Sequence, residues 1–349
     1  MLSSFSSNTL LAKSRAKYGR RLTKQNFDDL LACQTVNDVA YYLKNHTDYA
    51  GVLAGINEND IHRGQLEVKL KQKMFEDYAS LCRYEISIGE DFSHYLIASS
   101  DIEQILHSLL LLQAGTPQEN LLSMPPFLNR HTKIDLPALG RIQNYDDLLL
   151  ALSHTPYRKL LEPLRPQAGI PLDYTGIEHV LYTYLYQSVF TAIAKNTVGE
   201  TSKQLRDLFN TLIDLKNYSF IMRMKTYYQA SPDAIRKCLL PFGTIKGHDL
   251  EEMINAPTAD ELAKLMNKTS VGKRSLKVEH DFIDQIPERI NYLRSRHDIH
   301  FSMHPSVVMM SYLFLAQTEL SDIINIIEGI RYKLAPSEII KLLTIVNFQ

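Results

Sequence analysis

The sequence has 349 residues, of which 45% are apolar, and its 38 basic and 39 acidic side chains leave a net charge of −1. This balance disfavours a dedicated nucleic-acid-binding protein, because such proteins carry a strong basic excess. The longest apolar run, Val307 to Ala316, is broken at Ser311 and falls short of the roughly 18 residues that span a bilayer. Glycine and proline number only 14 each, below their usual combined share of about 12%, which favours long helices.

The N-terminus lacks the basic start and apolar core of a signal peptide. Cys33, Cys82 and Cys238 are too far apart for a disulfide framework or a paired metal site. These features predict a soluble, cytoplasmic and mostly helical protein. The basic stretch from Lys13 to Arg21 favours a solvated helix face, and the alternative is a contact with phosphates, anionic lipid or an acidic partner.

A helix-capping pattern begins at Thr35 and recurs twice, at intervals of about 110 residues. In each copy a Thr or Asn stands three positions before an acid, which is typical of a helix N-terminus because the cap side chain accepts a backbone N–H. The copies are Thr35–Asp38, Asn144–Asp147 and Thr258–Glu261. An apolar stripe follows each cap, and a threonine is predicted to close each helix, at Thr47, Thr155 and Thr269.

Two further elements recur in the same order. The first is an acid that opens a long helical stretch, at Glu67, Glu178 and Glu279, with Thr175–Glu178 as a predicted capping box. The second is an acid that is predicted to lead a strongly apolar helix, at Asp101, Asp214 and Asp322. The last two copies also carry cations, Arg223 with Lys225 and Arg331 with Lys333.

The recurrence of three elements in one order predicts an internal triplication. Each copy is longer than a solenoid repeat of about 20 to 50 residues, so we expect three helical domains, at residues 1–120, 121–235 and 236–349. Their boundaries fall where Gly and Pro cluster, near residues 115–130 and 230–247. Similar units joined end to end are able to close around a pseudo-threefold axis. The predicted fold is therefore all-α, with three similar helical domains forming a funnel.

Candidate metal and catalytic residues are few. His297, His300 and His304 have helical spacing, with Asp298 and His280 nearby, which is one possible pattern for a zinc or iron site. No carboxylate is placed as a clear fourth ligand, so we predict no metal site.

Asp28–Asp29 and Asp146–Asp147 resemble the aspartate pairs of diphosphate-using helical enzymes, but leucines occupy the following turn. The chain has no phosphate loop, dinucleotide fingerprint, hydrolase elbow or zinc-protease motif. We therefore expect no catalytic residue and no cofactor.

The recurring charges allow two interpretations. Glu178 with Arg223, and Glu279 with Arg331, are placed to form ion pairs within a unit, or to line the axial hollow and contact a partner. Together with Lys225 and Lys333 they are the candidate partner-binding residues.

Four stretches of the chain resemble the C-type subunits of prokaryotic V-type (A/V-type) rotary ATPases, the counterparts of the d-type subunits of eukaryotic V-ATPases. They are residues 10–49, Gly176 to Leu181, Asp214 to Lys225, and Val307 to Arg331. The sequence departs from the family pattern at Ile330, where a Lys usually follows the glycine. It also departs in the first copy, where Ser108 and Leu110 to Leu112 replace the Arg/Lys pair.

The resemblance implies a funnel of three helical domains that lies on the cytoplasmic face of the membrane, bound to the proteolipid ring and to the central shaft. It implies a rotor component that couples ATP hydrolysis or synthesis to ion movement, without an active site, a membrane span or nucleic acid. The alternatives from the sequence are a helical adaptor unrelated to ion transport, and a metal- or diphosphate-dependent helical enzyme.

Overall fold

The described part of the chain is helical, which confirms the predicted all-α class. The computed structural model describes residues 2–58, 60–116, 124–167, 171–274 and 286–348, and these ranges contain no strand. Short 3-10 turns accompany 18 α-helices in the described ranges. The α-helices are α1 (Leu2–Tyr18), α2 (Lys24–Ala32), α3 (Val36–His46), α4 (Ala50–Leu53), α5 (Arg63–Cys82), α6 (Gly89–Gln113), α7 (Leu136–Leu139), α8 (Tyr145–Ala151), α9 (Pro156–Leu161), α10 (Tyr174–Asn196), α11 (Gly199–Thr226), α12 (Pro232–Lys237), α13 (His248–Asn255), α14 (Ala259–Lys268), α15 (Ile286–Phe301), α16 (Pro305–Arg331), α17 (Pro336–Leu342) and α18 (Ile345–Phe348).

The helices form two compact units. Unit 1 contains Met1–Glu90 and Asn196–Gln349, and unit 2 contains Asp91–Lys195. Unit 1 therefore joins the first and last parts of the chain around a core of its own. The division into three domains around a threefold axis stays a prediction.

Helix α16 is the core of unit 1. Its 27 residues, about 40 Å of helix, lie against α1, α5, α11 and α15. The continuous segment from Ser306 to Leu315 is buried on all sides, which is typical of a helix enclosed by neighbours.

Side-chain contacts define the directions of the helices around α16. Along α5, Tyr78 Oη lies 2.7 Å from Met310 Sδ, while Arg63 at the start of α5 pairs with Glu328 near the end of α16. These two helices are therefore antiparallel. Along α11, Thr201 contacts His304, and the Phe209 ring lies 6.3 Å from that of Phe314. Helices α11 and α16 therefore start together and run in the same direction.

A buried carboxylate also joins the first part of the chain to α16. Glu319 accepts the Leu22 backbone N–H at 2.8 Å and the Tyr49 hydroxyl at 2.9 Å. Burial raises the pKa of Glu319 above its usual range. The two hydrogen bonds satisfy both carboxylate oxygens, so the group is retained in the packed interior.

By length and mean hydropathy, α16 also qualifies as a candidate membrane span, although 67% of its most apolar window is buried within the protein. Uninterrupted apolar runs in the sequence do not reveal it, because Ser311, Gln317 and Glu319 divide the segment. Its burial identifies it as the core helix of unit 1, since a core helix passes the same length and hydropathy test.

The three predicted N-caps are confirmed. The side chains of Thr35, Asn144 and Thr258 accept the backbone N–H three residues later, at 3.1, 2.9 and 3.2 Å respectively. The three threonines that were predicted to close these helices also act alike, because each hydroxyl donates a hydrogen bond to a carbonyl in the preceding turn. The pairs are Thr47 with Leu43, Thr155 with Leu152, and Thr269 with Met266.

Two local predictions are wrong. Thr155 does not close its helix, because α8 ends four residues earlier at Ala151. The predicted capping box at Thr175–Glu178 lies inside α10, which begins at Tyr174. Asp173 provides the cap instead and accepts the Gly176 N–H at 2.9 Å, since an acid just before the first turn binds the free N–H groups equally well.

The acids Asp101, Asp214 and Asp322 are buried in the middle of α6, α11 and α16 rather than at helix starts, which corrects the prediction. Asp214 accepts the consecutive backbone N–H groups of Thr244 and Ile245, at 2.9 to 3.1 Å. Asp322 accepts those of Thr344 and Ile345 at 2.8 and 2.7 Å. Each carboxylate therefore holds a downstream Thr-Ile segment against its helix.

Amide side chains one turn further reinforce two of these attachments. Asn217 donates to the Leu240 carbonyl at 3.1 Å, and Asn325 donates to the Leu342 carbonyl at 3.3 Å. In unit 2, Asp101 accepts the Tyr157 hydroxyl at 3.2 Å. Asp214 and Asp322 therefore share one arrangement, in which a buried helix acid binds a Thr-Ile segment, whereas Asp101 binds a tyrosine hydroxyl.

The three long helices end in the same way. Two or three positions after the ends of α6, α11 and α16, one residue has a left-handed backbone: Gly115 (φ 72°), Gln229 (φ 47°) and Lys333 (φ 57°). The next residue donates its N–H back into the last turn, from Thr116 to Leu111, from Ala230 to Met224, and from Leu334 to Gly329. This is the left-handed C-cap that terminates helices in general, here at equivalent places in the sequence.

Candidate partner-binding surface

The C-terminal end of α11 carries two of the predicted partner-binding residues, in different surroundings. Arg223 is exposed, and its guanidinium lies 5.8 Å from the centre of the Phe220 ring. Lys225 is half-buried and donates to the Ala256 carbonyl at 2.7 Å, at the C-cap of α13. Burial lowers the pKa of Lys225. Lys225 therefore ties α13 to α11, while Arg223 faces outward.

The C-terminal end of α16 exposes both of its predicted cations. Arg331 lies 3.7 Å from Glu328 and 5.5 Å from the centre of the Tyr332 ring. Lys333 is exposed at the left-handed position after the helix. That backbone conformation costs a non-glycine residue roughly 1 kcal/mol. The hydrogen bonds of the helix C-cap maintain it, and the Lys333 side chain is exposed there.

Exposed aromatic residues accompany these cations. Tyr227 and Tyr228 follow α11, each about two-thirds exposed, and Tyr332 follows α16 with the same exposure. Tyrosine and arginine are the residue types that provide most contact energy at protein interfaces. We name these two groups, Arg223 with Tyr227 and Tyr228, and Arg331 with Tyr332 and Lys333, the cation–tyrosine ends.

The two predicted acid–cation pairs remain predictions. Glu178 is half-buried near the start of α10 in unit 2, and Arg223 belongs to unit 1. Glu279 lies outside the described residues. Among the described carboxylates, Arg331 pairs with Glu328, one turn before it on the same helix.

The candidate metal ligands in the described ranges contact protein side chains, and His297 and His300 share the Phe301 ring. His304 Nδ1 lies 2.8 Å from Thr201 Oγ1, His300 packs edge-on against Tyr18, and the His297 ring packs on Phe301. His280 lies outside the described residues. Within the ranges that the structure describes, no group of three or more His, Cys, Asp or Glu side chains is placed to hold a metal ion.

Two of the four acids in the predicted aspartate pairs, Asp29 and Asp147, have structural roles. Asp29 accepts the Tyr42 hydroxyl at 2.6 Å, and Asp147 belongs to the confirmed helix cap. Hydrogen bonds from Tyr42 and Gln25 lower the pKa of Asp29.

The basic stretch from Lys13 to Arg21 is solvated in part, because Lys13, Arg20 and Arg21 are exposed, and packs within unit 1 through its other residues. Arg15 donates at 2.8 Å to the carbonyls of Ile299 and Ser302, at the end of α15. Lys17 pairs with Asp77 at 2.5 Å, and Arg21 lies 4.3 Å from the centre of the Tyr18 ring. The sequence pattern did not indicate these roles because the acceptors lie far away in the chain.

Large apolar side chains are exposed where the long helices begin. Ile86 lies between α5 and α6, and Val198 lies before α11. Phe301 ends α15, and Met303 lies between α15 and α16. All four are at least 70% exposed. No capping or charge pattern marks these positions, so they were not predicted from the sequence. The one local signal is an apolar residue near a helix end.

The chain is similar to subunits of ATP synthases. The family model described as ATP synthase (C/AC39) subunit matches residues 10–342. The C-type subunit of the A-type ATP synthase of Methanosphaera stadtmanae is 23% identical over 274 residues, which cover 77% of this chain and 67% of that protein.

Proposed function

The chain belongs to the ATP synthase (C/AC39) subunit family, and from this we propose that it is the non-catalytic rotor subunit of an A/V-type ATPase or ATP synthase. In this role it joins the central shaft to the proteolipid ring on the cytoplasmic face of the membrane and couples ATP hydrolysis or synthesis to ion translocation. The observation that carries the proposal is the family match, which extends over residues 10–342 and so includes both units.

The packing of unit 1 supports a mechanical role. A coupler must transmit torque without bending, and α16 is about 40 Å long and enclosed by four other long helices. Protein interiors packed at this density have low compressibility. The Glu319 hydrogen bonds to Leu22 and Tyr49 further fix α16 to the first part of the chain.

Co-purification tests the proposal directly. A tagged chain, isolated from detergent-solubilised membranes of its own organism, is expected to bring down shaft and proteolipid subunits identified by mass spectrometry. Deletion of its gene is expected to uncouple ATP hydrolysis in the membranes from ion transport. A tagged chain that recovers neither kind of protein supports the alternative, a helical adaptor unrelated to ion transport.

We further propose that the cation–tyrosine ends bind the shaft. Surface charges steer and orient association, and both ends combine arginine with exposed tyrosine. Arg223→Glu with Arg331→Glu is expected to weaken binding to purified shaft subunits at least tenfold. Lys264→Glu with Lys268→Glu, on α14, is a matched control with the same change in net charge. Equal binding by the two folded double variants would contradict this assignment.

A further inference from the structure

A cavity lies within unit 2, beside the middle of α6. It has a volume of about 420 Å³, and every residue that lines it belongs to Asp91–Lys195. These residues come from α6, α9, α10 and the segment around Lys133. Pockets that bind small molecules have volumes of roughly 300 to 1,000 Å³. The cavity is therefore large enough for a small organic molecule.

The buried acid Asp101 lines this cavity and is only 4% exposed. Its counterparts in the repeat, Asp214 and Asp322, accept backbone N–H groups with both carboxylate oxygens. Asp101 instead accepts the Tyr157 hydroxyl with Oδ2 at 3.2 Å, and its Oδ1 has no partner with hydrogen-bond geometry among the described residues. Buried polar atoms of native proteins are rarely left without a donor. Asp101 Oδ1 is therefore the atom in the cavity that a ligand would satisfy.

Asp101 also lacks an opposite charge. Burial raises the pKa of Asp101 to about 6, although the side chains of Thr132 and Tyr157 oppose this rise. At pH 7 the carboxyl is still about 90% ionised. Within the described ranges, no lysine, arginine or histidine pairs with it. Because a lone buried charge is costly, a cationic ligand stabilises Asp101 more than a neutral ligand of the same shape.

The walls around Asp101 are aromatic and apolar. Phe92 and Tyr95 line the cavity from α6, and Leu185 lines it from α10. Tyr157 and Tyr184, which line it as well, meet edge to face with ring centres 6.1 Å apart. Aromatic rings attract organic ammonium groups, and apolar walls accommodate the rest of such a molecule. The lining therefore fits an ammonium group that carries an apolar body.

Other titratable side chains limit the charge of the ligand. His94, His131 and Lys133 line the cavity and are exposed, and Asp91 lines it from the beginning of α6. Asp91 lies about 15 Å before Asp101 along the helix, too far to share one ammonium group with it. Lys133 disfavours a second ammonium group on the ligand, because like charges repel. The cavity therefore favours a single positive charge over a polyamine.

We propose that the cavity of unit 2 binds a small organic monoamine, whose ammonium group donates to Asp101 Oδ1 and whose apolar body packs against the aromatic walls. One group on the ligand thereby satisfies both the unpaired oxygen and the uncompensated charge of Asp101. The site belongs to unit 2 alone, so the proposal does not depend on the rotor function.

Calorimetric titration of the purified full-length chain with phenethylamine tests the proposal, and 2-phenylethanol is the neutral probe of matching shape. The wild type is expected to bind the amine at least tenfold more tightly than the alcohol. Asp101→Asn keeps the shape of the side chain and an acceptor for the Tyr157 hydroxyl, but it removes the charge. This variant is expected to lose at least tenfold in affinity for the amine and to bind the alcohol like the wild type.

A second pair of variants tests the location of the site and leaves Asp101 intact. Ser188 is exposed and lines the cavity, whereas its neighbour Gln187 is exposed and does not line it. Ser188→Trp is expected to fill part of the cavity and to weaken amine binding at least tenfold. Gln187→Trp is the matched control and is expected to bind like the wild type. Circular dichroism checks that both variants fold.

Three results would overturn the proposal. The first is equal affinity of the wild type for the amine and the alcohol. The second is unchanged amine affinity in folded Asp101→Asn or, if that variant does not fold, in Ser188→Trp. The third is no amine binding by the wild type, which includes the case in which a lysine or arginine of a partner subunit enters the cavity instead.

Discussion

The carboxylate of Asp214 anchors the loop that contains Thr244 and Ile245. It is 2% exposed, and it accepts two consecutive backbone N–H groups and the Thr244 hydroxyl. Asp214→Ala leaves these buried donors without an acceptor, which is expected to cost about 3 kcal/mol of unfolding free energy. Urea unfolding followed by circular dichroism measures the loss.

Asp233→Ala is the control for this prediction. Asp233 is exposed and contacts Arg236 on the surface of α12, so its removal is expected to leave the urea midpoint unchanged. Similar midpoints for Asp214→Ala and Asp233→Ala would show that the buried carboxylate does not stabilise the loop.

Asp322 makes the stability of unit 1 dependent on pH. Burial, together with the negative charges of Glu288 and Glu319, raises the pKa of Asp322 to about 7. The pKa of an aspartate in an unfolded chain is about 4, so folding takes up a proton between these values. The free energy of unfolding therefore falls as the pH rises from about 4 to 7.

The variant Asp322→Asn isolates this effect, because its side chain does not titrate. Between pH 5 and pH 7 the wild type is expected to lose about 2 kcal/mol of stability relative to the variant. Urea unfolding of both proteins at several pH values measures the difference. A difference that is constant with pH would contradict the raised pKa.

At the scale of the helix, the three caps are expected to behave as equivalents. Thr35, Asn144 and Thr258 each accept the N–H of the acid three positions on. Substitution of any of them by Ala is expected to cost about 1 kcal/mol, which speeds hydrogen exchange in the following helix roughly fivefold. Thr35→Ser and Thr258→Ser keep the acceptor and should exchange like the wild type.

The caps were predictable from sequence because a cap and its target are three residues apart. The buried acids were not, because their partners lie 22 to 56 residues further along the chain, as with Asp322 and Thr344 or Asp101 and Tyr157. An acid before an apolar stripe has the same local pattern whether it begins a helix or lies buried within one. The exposed apolar side chains at the starts of the long helices have only a weak local signature, an apolar residue near a helix end, since their exposure follows from packing.

At the scale of the whole chain, the two units predict two separate responses to a core mutation. Leu313 in α16 is fully buried in unit 1, and truncation of a buried leucine to alanine costs about 3 kcal/mol because it leaves a cavity. Leu313→Ala is therefore expected to speed hydrogen exchange in buried helices of Met1–Glu90 and of Asn196–Gln349 together, although they are distant in sequence.

Peptides from Asp91–Lys195 are expected to exchange at the wild-type rate in the same sample, because this unit has its own core around Asp101, Leu181 and Leu185. Leu181→Ala is the matched variant and should produce the opposite pattern. Hydrogen exchange read by mass spectrometry resolves the two units in one experiment. Equal acceleration throughout the chain in both variants would mean that the two units unfold as one, since local stability follows the cooperative units of the fold.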